Sequence, residues 1–220
     1  MGMGVDTRNR IAKRAAQEIQ DGMIVNLGIG IPSLVSNHLP NDIHVMFHAE
    51  NGILGMGESP EKGQEDAMLC NAGGFPVTIV PGAAYFDSAA AFGMIRGGFL
   101  DITILGGLEV SEKGDLANWV IPGKRVPGIG GGMELAEKAK KVIVLMSHVN
   151  KKDEPKILKE CTLPLTAKTC VNLIITDRAV IEVTPEGLVL KEVMEPFTAK
   201  EVIESTGAPL IISEDLVTIH

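Results

Sequence analysis

Short runs of apolar, mostly β-branched residues recur along the 220-residue chain and constrain its fold more than any other feature. Each run has apolar residues at both odd and even positions, so we expect both of its faces to be buried. Strands of this kind belong to largely parallel sheets that helices cover on both sides. We therefore predict an α/β fold, a mostly parallel sheet flanked by helices, with strands at Met23–Leu27, His44–Phe47, Val77–Val80, Ile102–Leu105, Val142–Leu145 and Leu173–Ile175.

Helical patterns separate several of these runs. Residues Thr7–Gln20 place their apolar side chains on one stripe, which is the spacing of an amphipathic helix. The glycine turn before Pro32 is expected to lead into a further helix. Ser88–Arg96 and Met133–Lys140 have lengths that suit the crossovers between parallel strands.

The C-terminal part has a different pattern. Val180–Val183 and Leu188–Leu190 flank a Pro-Glu-Gly turn, which predicts a β-hairpin. Thr198 and Glu201 have the spacing of a capping box, so a helix is expected to begin there and to end at Gly207. No repeat or linker divides the chain, and we predict a single domain over residues 1–220.

The acidic balance of the chain argues against a nucleic-acid partner. Its net charge is -8 and its pI is about 5.2, whereas phosphate binding requires a clustered basic surface. Three cysteines without a C-x-x-C pair favour a reducing compartment over a disulfide framework. No secretory signal and no apolar run of membrane-spanning length occur. We therefore expect a cytoplasmic protein without a membrane partner.

Glycines cluster just after the predicted strands. In parallel α/β sheets, ligands bind in the crevice beyond the carboxyl ends of the strands. Glycine at such a place lets backbone N–H groups approach a ligand. Any single cluster is better explained by a tight turn between a strand and a helix, but several clusters on one rim weaken that explanation. The clusters are Gly28/Gly30, Gly52/Gly55/Gly57, Gly73/Gly74, Gly106/Gly107 and Gly128/Gly130/Gly131/Gly132.

Glu50 follows the strand predicted at His44–Phe47, so its carboxylate is expected at this rim. A Glu in a loop is by default a solvated charge or a helix cap. Position alone therefore leaves open whether Glu50 has such a structural role or a catalytic one. The run His48-Ala49-Glu50 imitates the H-x-E of zinc deaminases, but no P-C-x-x-C follows it. The histidines lack the spacing of metal ligands, and no metal site is predicted. P-loop and G-x-S-x-G motifs do not occur.

Six sequence blocks in a fixed order are more specific. Together they resemble the B subunit of 3-oxoacid coenzyme A transferases of the succinyl-CoA or butyrate–acetoacetate type, from about Ile11 to Gly207. In that family the nucleophile lies in a Ser-Glu-Asn-Gly signature, which falls on Glu50 here. The blocks are Val25–Pro32, Glu50–Gly57, Ala91–Gly98, Gly114–Lys124, Gly128–Met133 and Thr162–Thr166.

This resemblance implies a role for several residues. Glu50 would form a glutamyl-CoA thioester during ping-pong transfer of CoA between carboxylic acids. Gly131 and Gly132 would donate N–H groups to the oxyanion, while Asn26 and Asn51 are expected to contact CoA or the acyl group. Coenzyme A would be a substrate, and no other cofactor is expected.

Two positions depart from the family pattern. Ala49 replaces the Ser that precedes the nucleophile, so the hydroxyl of that Ser is absent. Gly74 stands where related chains often have Lys, and Lys124 or Arg125 would have to replace that cation.

The resemblance also implies a partner chain. The family's A-subunit signature is not met here, because Asn71 lies too close to Gly73-Gly74-Phe75. A separate A subunit and a hetero-oligomer are therefore expected. Two alternatives remain open: a non-catalytic ligand-binding or regulatory subunit of the same fold, and an acyl-CoA hydrolase.

Overall fold

A large, mostly parallel sheet forms the centre of the protein, in a computed structural model that describes residues 3–123 and 128–219. Its strands are β1 (Ile24–Leu27), β2 (Met46–Ala49), β3 (Ile53–Met56), β4 (Ile79–Tyr85), β5 (Ile102–Gly106), β8 (Lys141–Leu145), β10 (Leu173–Ile175), β11 (Ala179–Thr184), β12 (Gly187–Met194) and β13 (Leu210–Ile219). Within the described residues they lie in the order β13-β12-β11-β10-β8-β5-β1-β2-β3-β4. A small second sheet contains β6 (Glu109–Ser111), β7 (Leu116–Ala117) and β9 (Ile157–Leu158).

The middle of the large sheet confirms the predicted α/β class. Neighbouring strands run parallel from β2 through β1, β5 and β8 to β10. Successive side chains of β8 alternate between two cores: Val142 and Val144 belong to one, and Ile143 and Leu145 to the other. Both faces are therefore buried, as the continuous apolar runs predicted.

Helices cover both faces of this sheet. They are α1 (Val5–Ala16), α2 (Ser88–Arg96), α3 (Gly132–Lys138) and α4 (Ala199–Glu204), with a 3₁₀ helix at Pro32–His38 where a further helix was expected. Residues Ile11, Ala12 and Ala15 of α1 are fully buried in one core, and Ile95 of α2 is fully buried in the other. No helix in the described ranges is long and apolar enough to cross a membrane.

Two predicted strands towards one margin of the sheet differ from the strands in the structure. The strand predicted at Val77–Val80 was expected to be buried on both faces, but β4 is an antiparallel edge strand with mostly exposed residues. The strand predicted at His44–Phe47 lies two residues further on, as β2. The predicted hairpin is confirmed as β11 and β12, and the predicted capping box begins α4.

His148 ties three C-terminal segments together and gives the stability of the fold a pH dependence. Its ring nitrogens lie 3.0 Å from Thr176 Oγ1 and 2.9 Å from Thr206 Oγ1. Burial lowers the pKa of His148 from 6.5 to about 4, although the nearby Asp177 opposes this shift. The folded state therefore favours the neutral ring.

We expect the free energy of unfolding to fall as the pH is lowered from about 6.5 to 4. The pKa of His148 is lower in the folded chain than in the unfolded chain, so protonation favours the unfolded chain. The stability is therefore complete above the unfolded-state pKa and is lost as the pH falls to the folded-state pKa. The loss is on the order of 3 kcal/mol. Urea unfolding at a series of pH values measures it, with His148→Gln as the reference chain. An equal slope in both chains over this range would contradict the assignment.

Candidate active site

Glu50 lies in the turn that joins β2 to β3, at the carboxyl end of β2. Gly52 allows this turn because its φ is +116°, a conformation that L side chains rarely adopt. The Gly52 N–H donates to Ala49 O at 3.0 Å, and Gly52 O accepts from Phe86 N–H at 3.0 Å. A Cβ on Gly52 would lie 2.0 Å from Phe86 O. The backbone of the turn is thus fixed by local bonds and by the neighbouring segment.

Asn26 holds one oxygen of the Glu50 carboxylate. Its Nδ2 donates to Glu50 Oε2 at 3.2 Å and to His48 O at 3.1 Å. Asn26 is buried in β1, whereas Glu50 is half-buried. A contact of Asn26 with CoA or the acyl group stays a prediction, and the structure adds a contact of its amide with the carboxylate. Asn26 therefore orients Glu50.

His48, two residues before Glu50, has a buried ring on which a positive charge is disfavoured. Its ring is fully buried, and Nε2 lies 3.2 Å from Ala91 O of α2. Burial lowers the pKa of His48, while the bond to Ala91 O and the charge of Glu50 oppose the shift. Among the described residues, its Nδ1 has no hydrogen-bond partner. The Nε2 contact fits a neutral ring that donates to Ala91 O.

The glycine loop before α3 also approaches Glu50. Gly131 is buried, and a Cβ built on it would lie 3.4 Å from Glu50 Cγ and 3.3 Å from the Phe92 ring. Gly132 is the first residue of α3, and its N–H donates to Ile129 O at 3.1 Å. The N–H of Gly132 would have to leave that carbonyl before it could reach an oxyanion. Of the two predicted donors, Gly131 is thus the one that lies close to the Glu50 side chain.

The remaining predicted positions lie around the turn. Asn51 Nδ2 donates to Cys70 O at 2.8 Å, so this side chain ties the turn to the loop that contains Cys70. Gly74 has a φ of +77° in a turn that its N–H closes onto Asn71 O at 2.9 Å. Lys124 and Arg125, the predicted replacements for a cation at position 74, lie outside the described residues.

A cavity of about 1730 Å³ opens in front of Glu50. The loop after β1, the glycine loop before α3 and the segments after β5 and β8 form its walls, so it follows the carboxyl ends of the central strands. This is the location that the glycine clusters indicated. In the described ranges, no group of three or more His, Cys, Asp or Glu side chains is placed to hold a metal.

Lys156 is a residue of this cavity that no sequence pattern indicated. Its Nζ donates to Gly107 O and to Ser147 Oγ, each at 3.2 Å. Burial lowers the pKa of Lys156 to about 8, although the charges of Asp177 and Glu109 oppose the shift. In the described part of the chain, no carboxylate forms an ion pair with it. Lys156 is therefore a cation with capacity for an anionic ligand.

Comparisons with known proteins agree with one another. The family model described as coenzyme A transferase matches residues 8–205. The beta subunit of a probable coenzyme A transferase of Bacillus subtilis (strain 168) is 63% identical over 212 residues, 96% of this chain and 98% of the relative. The B subunit of a probable succinyl-CoA:3-ketoacid coenzyme A transferase of the same strain is 52% identical over equal shares.

The fold is also found in a solved structure. The acyl-CoA transferase (YdiF) apoenzyme from Escherichia coli O157:H7 matches with a TM-score of 0.79 and 20% identity. The match covers 100% of this chain and 44% of that one. At this identity the likeness concerns the fold alone.

Proposed function

The chain belongs to the coenzyme A transferase family, and on this premise we propose that it is the catalytic B subunit of a heteromeric transferase. The enzyme moves CoA between an acyl-CoA donor and a 3-oxoacid or short-chain carboxylate through a glutamyl-CoA thioester. The observation that carries this proposal is the Glu50 carboxylate, which faces the cavity while Asn26 holds its Oε2. Its other oxygen is the one that attacks.

The proposed reaction begins with attack of Glu50 on the thioester carbonyl of the donor. This step forms a mixed acyl-glutamyl anhydride and releases CoA thiolate. The thiolate then attacks the glutamyl carbonyl, which gives the glutamyl-CoA thioester and frees the donor acid. The acceptor carboxylate then attacks the glutamyl-CoA thioester, which forms a second anhydride and releases CoA thiolate. The thiolate attacks the acceptor's carbonyl, which gives the new acyl-CoA and restores Glu50. A carboxylate suits this exchange because it is both nucleophile and leaving group, which also explains ping-pong kinetics.

Each step passes through an oxyanion that requires donors in place beforehand. Removal of one such donor costs about 3–4 kcal/mol in comparable sites. Gly131 is our first candidate because its ideal Cβ position lies 3.4 Å from Glu50 Cγ. Gly132 is the second, provided that its N–H is released from Ile129 O. Coenzyme A is a substrate in this scheme, and no resident cofactor takes part.

The partner in this proposal is a separate A subunit. Relatives that match this chain over 98% of their length are named as beta and B subunits, whereas this chain covers 44% of the YdiF chain. A second chain would complete the cavity and exclude water, which would otherwise hydrolyse the intermediates.

Lys156 is proposed to bind an anionic group of the substrate, in place of the cation absent at position 74. We expect Lys156→Met to raise a Michaelis constant by about tenfold or more, since a charge-assisted hydrogen bond contributes about 1.5–3 kcal/mol. Lys156→Arg retains the charge and is the control. If the Michaelis constant for the acid rises, Lys156 binds the carboxylate of the acid. If the Michaelis constant rises for acyl-CoA but not for acyl-pantetheine, Lys156 binds a phosphate of CoA. Unchanged Michaelis constants for both substrates would contradict the assignment.

The function is tested by incubating the complex of this chain and its A subunit with acyl-CoA, with and without an acceptor acid. A transferase produces new acyl-CoA only when the acceptor is present. If free CoA and donor acid were released as fast without the acceptor as with it, the enzyme would be a hydrolase instead. Unchanged transfer by a complex that carries Glu50→Ala would identify a non-catalytic subunit.

A further inference from the structure

A row of buried polar side chains crosses the centre of the sheet. His48 on β2, Asn26 on β1 and Thr103 on β5 occupy neighbouring register positions, because Asn26 pairs with both of the others. Their side chains share one face, since in-register residues of parallel strands point the same way. None of the three residues is more than 1% exposed. A buried polar group is costly unless it is hydrogen-bonded, so this row requires an explanation.

The Asn26 amide is bonded at both ends, and only one orientation satisfies its neighbours. Its two Nδ2 hydrogens reach two acceptors, His48 O and Glu50 Oε2. Its Oδ1 accepts from Thr103 Oγ1 at 3.4 Å. If the amide were flipped, Oδ1 would face a carbonyl and a carboxylate, neither of which has a proton to donate. Long hydrogen bonds are common in active sites without substrate and shorten when the substrate binds.

Thr103 makes no second hydrogen bond through Oγ1 in the described ranges. Its hydroxyl is therefore available to Asn26, and it is the one side-chain donor that meets Oδ1 there. Thr103 itself does not reach Glu50, because Asn26 lies between them along the row. Any influence of Thr103 on the reaction must pass through the amide.

We propose that Thr103 is a positioning residue of the transfer reaction, acting through Asn26 to fix the orientation of the Glu50 carboxylate. This inference rests on the proposed function. The hydroxyl supplies the third hydrogen bond of the amide, at Oδ1, and so helps to hold Nδ2 against Oε2. Without the hydroxyl, Oδ1 is buried without a donor, and only the two Nδ2 bonds hold the amide, so its position against the carboxylate is less fixed.

Thr103→Val removes the hydroxyl at nearly constant volume, and Thr103→Ser retains it. We expect Thr103→Val to lower kcat by about tenfold, the equivalent of one hydrogen bond, with little change in the Michaelis constant for acyl-CoA. Thr103→Ser is expected to restore most of kcat. Thermal unfolding of each chain reports whether the sheet has formed. A Val chain that is folded and has wild-type kcat would overturn the proposal.

A double-mutant cycle with Asn26→Ala separates positioning from general packing. If Thr103 acts through the amide, Thr103→Val has no further effect on kcat once Asn26 is Ala. An equal loss in both backgrounds would overturn the proposal. The result is distinguishable from failure of the proposed function, in which the unsubstituted complex itself would not transfer CoA. All measurements use this chain assembled with its A subunit.

Discussion

Glu50→Gln is expected to lower kcat by about a thousandfold or more, on the scale seen when an enzyme loses its covalent nucleophile. The amide keeps the size of the side chain and can still lie beside Asn26, but it cannot form the anhydride. Steady-state transfer by the assembled complex measures the effect. Glu186→Gln, an exposed substitution with the same charge change in the turn between β11 and β12, is the matched control.

Glu50→Asp refines this prediction. It retains the carboxylate but withdraws it by one methylene, so we expect partial activity that lies between wild type and the Gln chain. A misplacement of about 1 Å can cost on the order of a hundredfold in rate. Equal kcat in the Gln and wild-type complexes would contradict the nucleophile assignment.

Gly52→Ala is expected to have the largest effect on stability, about 4 kcal/mol or more, which is the range of severe packing and backbone conflicts. The new Cβ would lie 2.0 Å from Phe86 O, a backbone atom that cannot move without displacing the segment before α2. Urea unfolding measures the loss. Activity should fall too, because the same turn carries Glu50.

Gly63→Ala is the control for this substitution. Gly63 also has a positive φ, +88°, but nothing lies within 4 Å of its ideal Cβ position. It therefore reports the conformational cost alone, about 1–2 kcal/mol. If both glycine substitutions destabilised the chain equally, the close approach of Phe86 to the turn would be contradicted.

The central strands could be predicted because burial on both faces leaves a continuous apolar pattern. The margins could not, for identifiable reasons. The polar His48 near the end of β2 concealed where that strand ends. Strand β3 was not predicted, because its sequence contains glycine like a loop. Gly55 in this strand has a φ of +91°, and the register with β4 shifts beside it. The edge strand β13 exposes much of its apolar surface, and its side chains carry little information about a core.

The candidate site was predictable only in part. The strand-end position and the family signature both indicated Glu50, yet its contact with Asn26 depends on the register between β1 and β2. The side chain of Asn51 leads away from the carboxylate to Cys70 O, which no local pattern could reveal. Lys156 enters the cavity from a loop next to the short strand β9, where the sequence has no ligand-binding motif.

The most direct test of the central claim is the mass of the peptide that contains Glu50. The complex of this chain with its A subunit is given acyl-CoA without an acceptor acid, and the digest is analysed by mass spectrometry. We expect CoA linked as a thioester to Glu50, and no such adduct in the Glu50→Ala complex. Absence of the adduct from an active wild-type complex, or its persistence in the Ala complex, would contradict the proposed mechanism.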